Sequence, residues 1–225
     1  TPTMSDRKIE VLCRLLADQI GGQSIGDVLV VGCGRGTEAA FLADFFSADV
    51  IGIDLGGDFD PVAAERADLR VMDATDLDLA DDSFDLIYSF HALEHIDDPD
   101  KALAEMRRVL RPGGWYCVGT PNRSRLIGYL GSPTSLANTV RWNLQDYGMR
   151  LRGRFRNELG AHAGFTSGEL AAKCRAAFGQ TTEVTDEYYT QLYGGGRGQP
   201  AVSLSTSIGV SRFLFPCVYF TGQRR

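Results

Sequence analysis

A glycine-rich turn and a nearby carboxylate are the clearest candidates for ligand binding in this chain. The turn is Gly32-Cys33-Gly34-Arg35-Gly36, and the carboxylate is Asp54. Glycines let the backbone approach a nucleotide closely, so that its N–H groups face the ligand. A carboxylate at the end of the next strand can accept hydrogen bonds from both hydroxyls of a ribose. The pair therefore predicts a site for a ligand that contains a nucleoside.

Three histidines are the candidates for catalysis, because imidazole is the most common general base near neutral pH. His91 follows an apolar run, 84–90, that predicts a fourth strand. Ligands of open α/β sheets bind outside the carboxyl ends of the strands, which favours His91 as a base. His95 would share a helical face with it if a helical turn begins at Ala92, and His162 lies in the small-residue loop 160–164. Substrate contact and packing remain alternatives for His91.

The elements around the turn must form a strand, a helix and a second strand. Residues 28–31 are apolar without alternation, which is typical of a strand buried on both faces of a parallel sheet. A helix is predicted over 37–46 and a strand over 50–54. The glycine spacing is GxGxG, whereas the dinucleotide fingerprint is GxGxxG, with Thr37 in place of its third glycine. A tight turn without ligand is the alternative, but it does not account for Asp54.

The remaining pattern predicts alternating helices and strands in one domain, residues 1–225. A third strand ends at Met72 and is followed by Asp73, and a fifth strand covers 115–119. Helices are predicted over 5–20, 61–67, 99–110 and 135–151, the last as one or two helices, and over 166–178, where Thr166 or Ser167 is the cap. A sixth strand is predicted from Val184 through Tyr189, a flexible loop over 194–198 and a last strand over 213–222.

Residues 25–122 resemble the class I S-adenosylmethionine-dependent methyltransferases. The segments that carry the resemblance are VLVVGCGRG, IGID, LEHI and RVLRPGG, and the last two are similar to those of a small-molecule group. The resemblance implies an α/β, Rossmann-like fold with a seven-stranded, mostly parallel sheet and helices on both faces. The last strand would be antiparallel, paired as a hairpin between the fifth and sixth. Residues 121–163 would be a cap insertion after strand 5.

The resemblance also implies S-adenosylmethionine as cofactor and S-adenosylhomocysteine as product. Asp54 would hold the ribose hydroxyls, and Asp73 would accept a hydrogen bond from the adenine amino group. The family usually has an acidic residue at the position of Val30, which cannot make that contact. The full set of expected cofactor contacts is Gly32, Cys33, Gly34, Gly36, Asp54, Leu55, Asp73, Ala74 and Phe90.

The charge is distributed unevenly along the chain. The net charge is −6, yet residues 121–164 hold seven arginines and two acids, which leaves −11 for the rest. Such an acidic remainder argues against a nucleic-acid partner. The preferred interpretation is a small-molecule acceptor, anionic or glycosylated, that docks under the cap. Peripheral contact with an anionic membrane is the alternative, less favoured because the segment lacks a long apolar face. Tyr129, Trp142 and Tyr147 make the segment aromatic as well as basic, and Trp142 and Tyr147 are expected to be largely buried.

The cysteines and the apolar run near the C-terminus limit the classes of protein to be considered. The five cysteines are dispersed and no metal-ligand cluster is evident, which is typical of reduced thiols in a cytoplasmic protein. The apolar run 213–220 is too short to span a membrane and contains Pro216.

O-methyl transfer is the leading hypothesis, with N- and C-transfer open. A non-catalytic protein, an NAD-binding protein and a nucleic-acid methyltransferase are the alternatives, and the oligomeric state is not predicted.

Overall fold

The protein is described here by a computed structural model that covers residues 4–128, 135–157, 161–194 and 199–225. Predictions that concern Tyr129, Glu158, Gly160 and residues 195–198 lie outside these ranges. Seven strands form one sheet in the order β3-β2-β1-β4-β5-β7-β6. Their bounds are β1 Asp27–Val31, β2 Asp49–Asp54, β3 Asp68–Val71, β4 Phe84–Phe90, β5 Leu110–Pro121, β6 Thr182–Glu183 and β7 Cys217–Gln223.

Helices cover both faces of the sheet. One face packs α1, α2 and α7 against side chains such as Val30 and Tyr88, and the other packs α4 and α6 against Leu29 and Ile87. None of the helices among the described residues is long and apolar enough to cross a membrane. The helices are α1 Met4–Ile20, α2 Thr37–Phe46, α3 Pro61–Ala64, α4 Pro99–Val109, α5 Leu136–Leu151, α6 Ser167–Phe178, α7 Thr185–Leu192, α8 Gln199–Ser207 and α9 Ser211–Leu214.

The predicted fold class is confirmed. Strands β3, β2, β1, β4 and β5 run parallel, and β7 is antiparallel to both β5 and β6. Continuous apolar runs formed the central strands because these are covered on both faces. Helix α6 begins as predicted, since Thr166 and Glu169 form a reciprocal capping box.

Two predictions near the C-terminus are wrong. The segment from Val184 to Tyr189 forms α7 and not a strand, because Val184, Tyr188 and Leu192 recur at helical spacing and are all buried. Residues 213 and 214 belong to α9, and the last strand begins only at Cys217, after Pro216. Strands β6 and β7 do pair, but α7, α8 and α9 lie between them along the chain, so the hairpin that the resemblance implied is not formed.

Helix α5 is tied to the rest of the protein through an arginine in the segment after β5. Arg125 is only 4% exposed, and its guanidinium donates to the Asp146 carboxylate on α5 at 3.1 Å.

The expected burial of the aromatic side chains is only partly right. Trp142 is half-buried, whereas Tyr147 is 42% exposed, with its hydroxyl donating to the Leu126 carbonyl at the surface.

Backbone contacts hold the end of the segment 121–164 against the end of β5. Gly164 has a φ of +70°, and a Cβ at this position would lie 1.8 Å from the Pro121 carbonyl oxygen. Phe165 N donates to the same oxygen at 3.1 Å, and Arg123 donates to the Gly164 carbonyl. Only glycine therefore permits this close approach, which returns the chain to the sheet beside β5.

Replacing Gly164 by alanine should destabilise the protein by more than the ~1–2 kcal/mol that a left-handed conformation costs an L-residue, because the new methyl group also meets backbone. Gly168→Ala is the matched control, since nothing lies within 4 Å of its Cβ position in α6. Urea unfolding of both variants would measure the difference. Equal free energies of unfolding would contradict the assigned role of Gly164.

Candidate functional site

A cavity of about 660 Å³ opens at the carboxyl ends of the parallel strands. Asp54 lies at the end of β2, and its two carboxylate oxygens accept hydrogen bonds from Gly34 N and Gly56 N, each at 2.9 Å. The carboxylate thus holds the loops on either side of it in place. Five of the residues predicted to bind cofactor line this cavity: Gly32, Asp54, Leu55, Asp73 and Ala74.

Gly32 forms the floor of the cavity where two strands end close together. Its φ is +75°, and an added Cβ would lie 2.2 Å from the Cβ of Ala92, just after β4. Gly32 N and Cys33 N both donate to the Ile53 carbonyl, at 2.8 and 2.9 Å. A larger residue at Gly32 would push β1 and β4 apart or fill the cavity.

The other four predicted cofactor residues lie outside the cavity lining. The side chain of Cys33 is buried, and the Cβ position of Gly36 is 2.3 Å from Leu69, so Gly36 packs α2 against β3. Gly34 contributes its N–H to Asp54, and Phe90 lines a second cavity. Three of them therefore shape the glycine turn, and their direct contact with a cofactor stays a prediction.

Asp73 is exposed and accepts a hydrogen bond from Thr75 N at 2.8 Å. Hydrogen bonds from Thr75 lower the pKa of Asp73, because they stabilise the carboxylate. The charged acceptor that the adenine contact would need is therefore present at the cavity.

A second cavity of about 440 Å³ lies on the other side of His91. Lys8, Arg125 and His162 contribute polar groups to its lining, and the half-buried Cys217 lies at the start of β7. The remaining lining is mainly aromatic, and consists of Phe90, Tyr188, Tyr189, Tyr193 and Tyr219, with Leu192, Pro121 and Pro216. A ring-bearing or apolar small molecule would match this surface.

Of the described residues that line the two cavities, His91 alone is shared. Its φ is +53°, which is uncommon for a residue with a side chain and costs of order 1–3 kcal/mol. The backbone is held there by a hydrogen bond from His91 N to the Gly119 carbonyl at 2.9 Å. The imidazole therefore stands in the wall between the cavities.

The other two predicted histidines lie close by. The rings of His95 and His162 meet edge to face, with centroids 4.9 Å apart. His95 lines the Gly32 cavity and His162 lines the aromatic cavity. Arg125 holds the His162 loop in place by donating to the carbonyls of His162 and Ala163. The sequence thus predicted three histidines that the fold does bring together.

Part of the sequence and the fold are similar to those of known methyltransferases. Residues 29–118 match the family model described as "Methyltransferase domain". A probable S-adenosylmethionine-dependent methyltransferase of Mycolicibacterium smegmatis is 40% identical over 122 residues, which are 52% of this chain and 45% of the relative. Chloroplastic tocopherol O-methyltransferase of Arabidopsis thaliana is 36% identical, over 47% of this chain and 33% of its own. The chain spans less than half the length of these relatives.

Among solved structures, phosphoethanolamine N-methyltransferase 2 of Haemonchus contortus in complex with S-adenosylmethionine superposes with a TM-score of 0.59. The match covers 96% of this chain and 52% of that one, at 19% identity, and so concerns the fold. Residues 29–118 form a class I S-adenosylmethionine-dependent methyltransferase domain. The resemblance to the class I S-adenosylmethionine-dependent methyltransferases is confirmed.

Two partners of His91 in the methyltransferase domain were not predicted as such. Nδ1 lies 3.4 Å from Glu94 Oε1, and Nε2 lies 3.4 Å from Cys217 Sγ. The Glu94 side chain is 1% exposed, and its Oε2 has no hydrogen-bond partner among the described residues. A signal for Glu94 was present in the LEHI segment. Cys217 carried none, because it lies 126 residues away in sequence.

These contacts set the charge of His91. Burial disfavours the imidazolium, but Cys217 and Glu94 outweigh it and raise the pKa of His91 from 6.5 to about 10. Burial likewise opposes the Cys217 thiolate, yet the charge of His91 and hydrogen bonds from His91, Tyr189 and Tyr219 lower the pKa of that thiol. Each of the two groups therefore favours the charged form of the other.

An acidic residue near Val30 was also missed. Val30 is buried and pairs in register with Tyr88 on β4. Glu38, in the first turn of α2, accepts a hydrogen bond from the Tyr88 side chain. Burial raises the pKa of Glu38 to about 7, although His91 and Tyr88 act in the opposite direction. The acid therefore contacts Tyr88, the strand partner of Val30, and does not line the Gly32 cavity.

The titration of His91 tests this arrangement. Since its folded pKa is raised, the stabilising contribution of the imidazolium is complete below pH ~6.5 and is lost as pH rises towards about 10. In an NMR titration the His91 midpoint should lie well above 6.5 and should fall in Cys217→Ala and in Glu94→Gln. Cys174→Ala, which removes a thiol from the opposite face, should leave it unchanged. A midpoint that neither substitution moves would contradict the contacts.

Proposed function

We propose that this protein is an S-adenosylmethionine-dependent methyltransferase that methylates a hydroxyl group of a small molecule. The cavity beside Gly32 and Asp54 would hold the cofactor, and the aromatic cavity would hold the acceptor. The observation that carries the proposal is the position of His91 in the wall shared by the two cavities. Methyl transfer requires the acceptor atom and the methyl carbon to meet in line at ~3–3.5 Å, which such a shared wall allows.

The residues present fit the cofactor. Gly32 keeps the floor of the cavity open, since a Cβ there would meet Ala92. Asp54 would accept hydrogen bonds from ribose and Asp73 from adenine, and both line the cavity. Bound there, S-adenosylmethionine would supply an electrophilic methyl group on a cationic sulfonium.

His91 would remove the proton from the acceptor hydroxyl. With a pKa of about 10 it is protonated at neutral pH in the ligand-free protein. A positive charge in the neighbouring cavity disfavours a second one, so the pKa of His91 falls towards the range that a base requires. Glu94 keeps the ring oriented through Nδ1, which leaves Nε2 directed at the acceptor cavity beside Cys217.

The acceptor class is proposed from the second cavity. Its aromatic lining favours a ring or an apolar group, and Lys8 and Arg125 allow an anionic substituent as well. The remaining arginines of the insertion that the structure describes do not line this cavity. Of the described arginines between 121 and 164, only Arg125 would therefore lie near an anionic or glycosylated acceptor, and its guanidinium is already bonded to Asp146 and to loop carbonyls.

N-methylation is a second candidate. The tyrosines of the acceptor cavity could hold a cationic amine through their ring faces, and similar proteins include phosphoethanolamine N-methyltransferases. Screening phenols, hydroxy acids and amines with radiolabelled S-adenosylmethionine would separate the two. Methyl transfer to none of them, with cofactor bound, would favour a non-catalytic protein.

The assignment of Asp54 predicts the cost of its removal. Asp54→Ala should weaken S-adenosylmethionine binding by about 1.5–3 kcal/mol, the range for hydrogen bonds to a charged group. Asp54→Asn, which keeps the shape and one acceptor oxygen, should lose less. Asp58→Ala is the matched control, because Asp58 is 88% exposed and pairs with Arg35 outside the cavity. Calorimetry that gives equal affinities for parent and Asp54→Ala would remove Asp54 from the site.

If His91 is the base, replacing it should lower the rate of methyl transfer without lowering the affinity for the cofactor. His91→Gln should lower turnover ~10²-fold or more on a hydroxyl acceptor and should not weaken S-adenosylmethionine binding. The parent rate should rise with pH as His91 deprotonates, and the variant should lose that dependence. His95→Gln and His162→Gln are the comparisons. A larger loss in either would assign the base to that histidine.

A further inference from the structure

Helix α5 carries an apolar stripe that faces solvent along its whole length. The stripe consists of Leu136, Val140, Leu144, Tyr147 and Leu151, which are 80%, 51%, 67%, 42% and 90% exposed. Spacings of three and four residues place all five on one face of a helix. Sixteen residues make this face about 24 Å long. The expectation that the segment lacks a long apolar face is therefore wrong.

The stripe continues onto two neighbouring segments. The Tyr147 hydroxyl donates to the Leu126 carbonyl, and Leu126 N donates to the Phe213 carbonyl at 2.7 Å. Leu126, Ile127, Phe213 and Leu214 are themselves between 36% and 51% exposed. We call the stripe and these four residues the α5 face. Soluble monomers rarely expose a contiguous apolar surface of this extent without a use for it.

The exposed charges that the structure describes within residues 121–163 are all of one sign. Arg141, Arg152, Arg154 and Arg156 are exposed. Among the residues that the structure describes between 121 and 163, the one acid is Asp146, and it is buried against Arg125. The exposed charge of this part of the insertion is therefore positive, although the protein outside residues 121–164 carries −11.

We propose that the α5 face rests on an anionic lipid surface. The apolar stripe would enter the boundary between headgroups and acyl chains, while the arginines, whose long side chains reach sideways, would contact lipid phosphates. A second copy of the chain is a poorer occupant, because two basic faces would repel each other. The acidic residues outside 121–164 are repelled by the same membrane, which orients the protein with the α5 face towards the bilayer.

The α5 face begins beside the acceptor cavity. Arg125 lines that cavity and Leu126 follows it, while Pro216 and Cys217 line it just after Phe213 and Leu214. This step rests on the proposed function: a docked enzyme would take an amphiphilic acceptor from the lipid side. Docking itself does not depend on methyl transfer, so the two can fail separately.

Vesicle sedimentation of the full chain tests the proposal. The protein should bind vesicles of phosphatidylcholine with phosphatidylglycerol, bind phosphatidylcholine alone much more weakly, and be released by salt. Leu144→Gln with Leu151→Gln should weaken binding roughly tenfold or more. Arg141→Gln with Arg152→Gln should weaken it about fivefold per arginine and reduce the effect of salt.

The matched controls lie at the β3 edge of the sheet. Val62→Gln with Val71→Gln removes apolar side chains that are 70% and 63% exposed, and Arg66→Gln with Arg70→Gln removes the same charge. Both double variants should bind like the parent. Equal binding by Leu144→Gln/Leu151→Gln, or equal binding to both kinds of vesicle, would overturn the proposal. So would a parent dimer in sedimentation velocity that this variant abolishes, because the occupant would then be a second copy.

Discussion

The close approach of β1 and β4 at Gly32 is the constraint on which the site depends. The absence of a side chain at Gly32 lets Ala92 lie against it, and two backbone N–H groups fix the turn to Ile53 at the end of β2. Because the strands are parallel, their carboxyl ends meet at one edge. The glycine turn, Asp54 and His91 are thereby placed around a single opening, although they come from three separate stretches of the chain.

The position of His91 illustrates how a parallel sheet joins two binding cavities. Strand β4 is central, so the residue after it borders the Gly32 cavity on the side of β1 and the aromatic cavity on the side of β5 and β7. Its left-handed backbone turns the ring into this boundary. Glu94 and Cys217 then determine the charge of the ring, one from the next turn of the chain and the other from the last strand.

The arginines that the structure describes between residues 121 and 164 fall into two groups. Arg123, Arg125 and Arg150 are engaged with the Gly164 carbonyl, Asp146 and Phe155, and they hold α5 and the His162 loop against the sheet. Four further arginines remain exposed around the apolar stripe. Arginines that look alike in sequence are thus divided between internal support and surface charge by which of them meets a carboxylate or a carbonyl.

The sequence by itself determined strands β1 to β5, the glycine turn, and the places of Asp54 and His91 at the ends of their strands. These follow from local rules: uninterrupted apolar runs, turn glycines and residues directly after strands. Only the tertiary structure decided that α7 is a helix, that Cys217 contacts His91, and that the apolar side chains of α5 face solvent. Each of these depends on contacts between distant segments, because burial, pairing and pKa are set by what packs against a residue and not by its neighbours along the chain.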